Sequence, residues 1–289
     1  MGQRIIGLLV SIGLTLGVVS AACAQDTVRI GWTAWSDAEF VTRLAQRILE
    51  ERMGQQVELV QTDIAPQYLG TGSGDIDVML MSWLPRTHSG YMDTVGDRTV
   101  DLGLLYDHAR LGWVVPDYVP EDQVDSIEDL RKESVREKLD GTITGIDAGA
   151  GLSRLSMKAL SAYGLDGYEL RISSEAGMTA ALERAIANEQ WIVVTGWSPH
   201  WKFDRWDLRY IEDPMGALGS WERVHAIARD GFYQDNIDAA TMLSRMWIPI
   251  DDLRTPMLDA RRSGYEEAVT RYIDNNGDRI EYWISGDIY

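Results

Sequence analysis

The stretch MSWLPRTH, residues 81–88, returns in altered form as TGWSPHW, residues 195–201. Both carry Trp-x-Pro followed by a histidine. Trp83 and Trp197 lie 114 residues apart, and so do Pro85 and Pro199, and Gly31 and Gly145. Two halves of the chain therefore repeat one plan. A third tryptophan, Trp35 in GWTAWSD (residues 31–37), sits in a similar place. All three follow short apolar runs that read as strands, so the repeat puts tryptophans at matched strand ends.

Working outward, residues 28–32 read as the first strand. A helix follows over residues 37–53, with Phe40, Val41, Leu44, Ala45, Ile48 and Leu49 at helical spacing. Residues 57–61 form a second strand. A short helical or loop segment leads to Gly70, Gly72 and Gly74, and residues 78–82 are an apolar strand ending at Trp83. The second half repeats this order: a strand over 142–146, a helix over 152–163 ended by Gly164, a strand over 170–173, a helix over 178–188, and a strand over 191–195 before Trp197. Strands alternating with helices predict parallel α/β sheets, and two such units predict two sheets. The run LGWVVP (residues 111–116), shifted by 114, lands on residues 225–230. These two runs are the expected crossings. They divide the chain into lobe I, residues 25–113 with 228–289, and lobe II, residues 114–227. The tail beyond Phe232 reads as helices returning to lobe I, with Ile280, Trp283 and Ile284 on one apolar face.

Residues 1–24 read as a secretory signal. Arg4 supplies the positive end, residues 5–19 are apolar with glycine interruptions, and Ala22-Cys23-Ala24 is a small-x-small cleavage site. The apolar run is short for a membrane anchor. Cys23 also admits a lipoprotein, although Ser20 stands where such a signal usually has a branched apolar residue. It is the only cysteine, so the mature domain is expected to hold together by core packing without disulfides. The formal net charge is −18, or −19 once Arg4 is removed with the leader. A nucleic-acid partner is excluded on that balance. The acidic residues are scattered, which reads as a solvated surface, one also suited to salt.

The sequence has no G-x-x-x-x-G-K-[ST] phosphate loop, no H-E-x-x-H or cysteine cluster for a metal, and no G-x-S-x-G nucleophile elbow. It offers no assembled catalytic set, so the expectation is a binding protein rather than an enzyme, without cofactor or metal. Most of the eleven tryptophans are core candidates, among them Trp113, Trp191 and Trp283. Trp35, Trp83 and Trp197 differ, because the carboxyl ends of strands in open α/β sheets face the ligand crevice. Aromatic faces there suit a quaternary ammonium, which has no N–H to donate and is held through the ring quadrupole. The turn GIDAGAGL (residues 145–152) opens a helix, and its free amides make an anion seat. A cation cage opposite an anion seat describes a zwitterion. His88 follows Trp83 closely enough to line the same wall and donate to a carboxylate. His200 reads as structural.

The stretches TAWSDAEF, SWLPRTHSGY, GIDAGAGL and TGWSPHWKFDRWDLRYIEDP resemble the substrate-binding proteins of ABC transporters for glycine betaine and related compatible solutes. The resemblance covers most of the mature chain. It implies an α/β two-lobed periplasmic-binding-protein fold (type II), with two parallel-rich sheets joined by a hinge. It also implies an aromatic cage from Trp35, Trp83 and Trp197, and a carboxylate held by Gly151, Leu152 and His88. The implied role is the exported, periplasmic solute-binding subunit of an importer. Its partners would be a membrane permease with its ATPase subunit, and it would act as a monomer. Ala148 and Ala150 depart from the family's usual proline and serine but leave the backbone amides available. The alternative is a choline or carnitine receptor of the same fold. Choline lacks the carboxylate that His88 and the glycine turn would hold.

Overall fold

The computed structural model describes residues 27–288. The expected signal peptide, residues 1–24, lies outside the described residues. Among the described residues, eight strands form one hydrogen-bonded path in the order β2-β1-β3-β9-β4-β7-β5-β6, and a ninth, β8, pairs with β4 off this path. In chain order they are β1 (Val28–Trp32), β2 (Val57–Gln61), β3 (Val78–Leu84), β4 (Thr99–Pro116), β5 (Thr142–Thr144), β6 (Glu169–Arg171), β7 (Val193–Ser198), β8 (Leu208–Tyr210) and β9 (Glu222–Arg229). The helices are α1 (Ser36–Met53), α2 (Ile64–Ser73), α3 (Ser89–Val95), α4 (Glu133–Lys138), α5 (Gly151–Ala162), α6 (Glu175–Ala187), α7 (Lys202–Arg205), α8 (Phe232–Asp235), α9 (Ile237–Arg245), α10 (Asp251–Ser263), α11 (Tyr265–Asn275) and α12 (Gly277–Ser285).

The repeat is visible in the pairing. β2-β1-β3 is one parallel triplet and β6-β5-β7 is another. β4 and β9 join them through antiparallel pairs. β3 is buried along six of its seven residues. That is why it reads as a continuous apolar run and not as an alternation. The glycines of α2 have a packing reason. A Cβ on Gly70 would stand 3.0 Å from Ile76, and one on Gly72 would stand 3.0 Å from Val95. The helix therefore runs through the glycine cluster and ends at Gly74 in the left-handed conformation.

β4 is the element that places the two triplets. Its residues from Thr99 to Ala109 pair with β9, and those from Arg110 to Pro116 pair with β7 and β8. The change of partner falls at Ala109–Arg110, four residues before the expected boundary at 113. All of β9, from Glu222 onward, pairs with β3 and β4 on the first triplet's side, six residues before the expected return at 228. A strand that exchanges neighbours midway carries no local mark of the exchange.

The C-terminal helices return to the first triplet. α10 and α11 pack on α1, and α9 packs on β4. Tyr272 meets Phe40 edge-on at 5.6 Å, and Ile280 and Trp283 are buried. Trp113 is buried as expected, whereas Trp191 is only half-buried, with the Lys138 ammonium 4.0 Å from its ring centroid. Among the described residues, no helix is long and apolar enough to cross a membrane.

Candidate functional site

Trp35 occupies the N-cap position of α1 in extended conformation (φ −114°, ψ 139°). Its Nε1 donates to Asp147 Oδ2 of the second triplet's glycine turn at 2.8 Å. Trp83 and Trp197 lie within β3 and β7 rather than past their ends, each one residue before the strand stops. Both following X-Pro bonds, Leu84–Pro85 and Ser198–Pro199, are cis, so the repeat extends to the backbone. After Trp83 the chain turns so that the His88 N–H donates to the Trp83 carbonyl at 2.9 Å. Glu222, at the start of β9, anchors this turn by accepting from the Arg86 and Thr87 amides and the Thr87 hydroxyl.

Trp35, Trp83, Trp197, His88, Gly151 and Leu152 line one cavity with an empty volume of about 300 Å³. The structure thus brings all six expected residues together from two halves of the chain. Asp37, Thr87, Leu111, Ile146 and Ala150 complete the wall. Among the described residues, no group of three or more His, Cys, Asp or Glu is arranged to hold a metal ion.

Two of the polar side chains that line the cavity differ in electrostatics. Asp37 is fully buried and accepts from Tyr106 Oη at 2.6 Å and from Trp197 Nε1 at 3.0 Å. Burial raises its pKa to about 6, against the lowering by Tyr106, with Glu175 adding to the rise. The sequence reading used Asp37 only as the start of a helix. Its contact with Trp197, 160 residues away, exists only in the folded chain.

His88 is buried, and its Nδ1 accepts from the Trp83 N–H at 3.1 Å. That acceptor role assigns the proton of the neutral ring to Nε2, leaving a donor on a side chain that lines the cavity. Burial first, and then the Arg154 charge, pull its pKa down to about 3, so the ring is neutral across the physiological range. Beside it, α5 begins with Ala150 at the N-cap, which brings no side-chain acceptor. Among the described residues, no group accepts from the amides of Gly151 or Leu152. Such a helix start presents its free N–H groups and positive dipole end to an anion. Gly151 must be glycine for a second reason. A Cβ there would stand 2.4 Å from Thr87 Cγ2 and 2.6 Å from the Thr87 carbonyl across the cleft.

The chain that builds this cavity matches known proteins in sequence and fold. The family model for OpuAC, the substrate binding domain of ABC-type glycine betaine transport system, matches residues 26–275. The chain belongs to this family. The glycine betaine/carnitine transport binding protein GbuC of Listeria monocytogenes (serotype 1/2a, strain 10403S) is 37% identical over 158 residues. That stretch is 54% of this chain and 53% of GbuC, so the chain spans about half the length of this curated relative. Lactococcal OpuAC in its closed-liganded conformation, complexed with glycine betaine, has a TM-score of 0.83 and 32% identity, covering 90% of this chain and 99% of that one. An ABC-transporter choline binding protein in complex with choline has a TM-score of 0.82 and 25% identity, covering 91% of this chain and 92% of that one. The two-lobed fold of these proteins is the fold of this chain.

Behind the cavity, this member of the OpuAC family carries a second, buried polar layer. His200 is fully buried and does not line the cavity. Its Nδ1 accepts from the Lys202 N–H at 3.0 Å, and its ring meets Trp197 edge-on at 4.5 Å. Lys202 is fully buried too, with its Nζ 4.4 Å from the Trp197 ring centroid and no hydrogen-bond partner among the described residues. Burial lowers its pKa to about 7, against the raising effect of Glu175 and Asp37. The motif PHWKF gave no sign that this lysine would be inside, because lysine is usually exposed.

Proposed function

We propose that this chain captures glycine betaine or a closely related quaternary ammonium zwitterion and presents it to an importer. The rings of Trp35, Trp83 and Trp197 surround the ammonium head, with the Asp37 carboxylate as its counter-charge. The Gly151 and Leu152 amides and His88 Nε2 hold the ligand carboxylate. The observation that carries this reading is that three tryptophan rings, a buried carboxylate and an uncapped helix start line one cavity. Ring faces attract a cation by about 0.5–2 kcal/mol each, more when desolvated.

Lobe I comprises the residues up to Ala109 and those from Glu222 onward, and lobe II comprises Arg110 to Trp221. These limits follow the change of strand partners. The protein acts as a monomer, without catalysis, in the periplasm after loss of residues 1–24. It delivers the ligand to a membrane permease whose ATPase subunit is a separate chain.

Isothermal titration against glycine betaine, proline betaine, dimethylsulfoniopropionate, carnitine and choline tests the reading. Tightest binding by a betaine is expected. Asp37 favours choline as the second reading, because a buried carboxylate at the cage serves a ligand that brings no carboxylate of its own. Choline binding more tightly than every betaine would replace the first reading with the second. Turnover of any of these ligands on incubation would remove the receptor assignment.

A further inference from the structure

Ser36 opens α1 on the first sheet, and Glu175 opens α6 on the second. They are 139 residues apart, and they meet. The Ser36 N–H donates to Glu175 Oε2 at 2.8 Å, and the Ser36 hydroxyl donates to Glu175 Oε1. Trp35, the N-cap of α1, brings no side-chain acceptor of its own. The first turn of α1 is therefore capped by a carboxylate from the opposite lobe. One further donor holds that carboxylate. Trp201 Nε1 reaches the Ser36 hydroxyl at 2.8 Å and Glu175 Oε1 at 3.3 Å. His200 Nε2 lies 3.2 Å from Glu175 Oε1. Both Ser36 and Glu175 are buried, and neither lines the cavity.

We propose that Glu175 is a positioning residue, a latch that caps α1 across the cleft and sets how long the lobes stay shut on a ligand. It acts through lobe closure and touches no ligand atom. The inference rests on the receptor reading above. Opening separates Ser36 from Glu175 and returns both to water, so these bonds belong to the closed state alone. An interaction confined to the closed state lowers the rate of release for every ligand that closes the lobes, and it does so equally. It therefore changes residence time without changing selectivity.

Stopped-flow tryptophan fluorescence on the full mature chain, with glycine betaine and proline betaine as probes, tests this. In Glu175→Gln, koff should rise about tenfold, the effect of losing a charge-assisted hydrogen bond. In Ser36→Ala, which keeps the backbone N–H bond, the rise should be smaller. In both, kon should stay within about twofold and the affinity ratio of the two betaines should not move. Unchanged koff in both variants would overturn the latch, and so would a shifted ratio. If Glu175→Gln does not fold, Ser36→Ala decides alone. An unaltered protein that binds no quaternary ammonium would overturn the receptor reading, and the latch with it.

Discussion

Trp197 is held by more than its neighbours in the strand. Its ring lies against Lys202 and His200 of its own lobe, so its orientation is set before any ligand arrives. Pre-set rings lose little freedom on binding, and each should matter. Replacing Trp35, Trp83 or Trp197 by Ala should weaken betaine binding about tenfold or more, and Phe should cost less than Ala, measured by titration calorimetry. His88→Ala should weaken glycine betaine about tenfold or more and leave choline little changed, because the lost bond is to a carboxylate. Asp37 gives a pH signature. Below about 6 the carboxyl holds a proton and loses the charge that faces the ammonium head. Affinity should fall as pH drops from 7 to 5, and Asp37→Asn should flatten that profile. His88, neutral down to about 3, adds nothing in this window. Stability runs the other way. A carboxyl with its folded pKa raised binds more protons when native, so Asp37 destabilises the fold increasingly as pH rises from its ordinary value of 3.8 to about 6. The difference in thermal midpoint between wild type and Asp37→Asn, measured across that range without ligand, checks the sign.

At the scale of elements, the start of α5 meets two demands at one residue. Its amides are free, as the proposed carboxylate seat requires, and its backbone comes within touching distance of the turn after β3. Arg154, one turn into α5, reinforces that approach by donating to the Thr87 carbonyl at 2.5 Å. A Cβ at position 151 meets Thr87 backbone as well as side chain, so a side-chain shift does not relieve it. Gly151→Ala should therefore weaken every ligand together by about tenfold or more, with the thermal midpoint of the ligand-free protein little altered. Calorimetry and a melting curve of the same variant separate this from a folding defect.

At the scale of the molecule, bonds from Trp35 to Asp147, Trp197 to Asp37, Tyr91 to the Gly149 carbonyl and Arg154 to Thr87 all cross the cleft. Contacts that exist only when the lobes meet favour closure, and a ligand touching both lobes adds to them. Small-angle scattering of ligand-free protein should show a larger radius of gyration than the betaine-saturated form. The bend should fall at Ala109–Arg110 of β4 and between β8 and β9, where strand partners change. Equal radii would point to a preformed pocket.

Much of this was legible beforehand, for a physical reason. β1, α1 and β3 each bury one continuous set of side chains, so their periodicity is written in adjacent residues, and the 114-residue repeat carried the plan to the second half. Trp83 and Trp197 were legible as cavity-lining residues because they occupy matched positions of that repeat. The first part of β4 was not legible, since irregular register between Asp101 and Ala109 breaks the alternation that marks a strand. Nor was the cavity role of Asp37, the interior place of Lys202, or the meeting of Ser36 with Glu175. The sequence by itself determined the elements, their order and the chemistry at the strand ends, because those depend on neighbours along the chain. Only the tertiary structure decided where β4 changes partners, which buried charges face one another and which carboxylate caps α1, because these depend on groups more than a hundred residues apart that share no local signal.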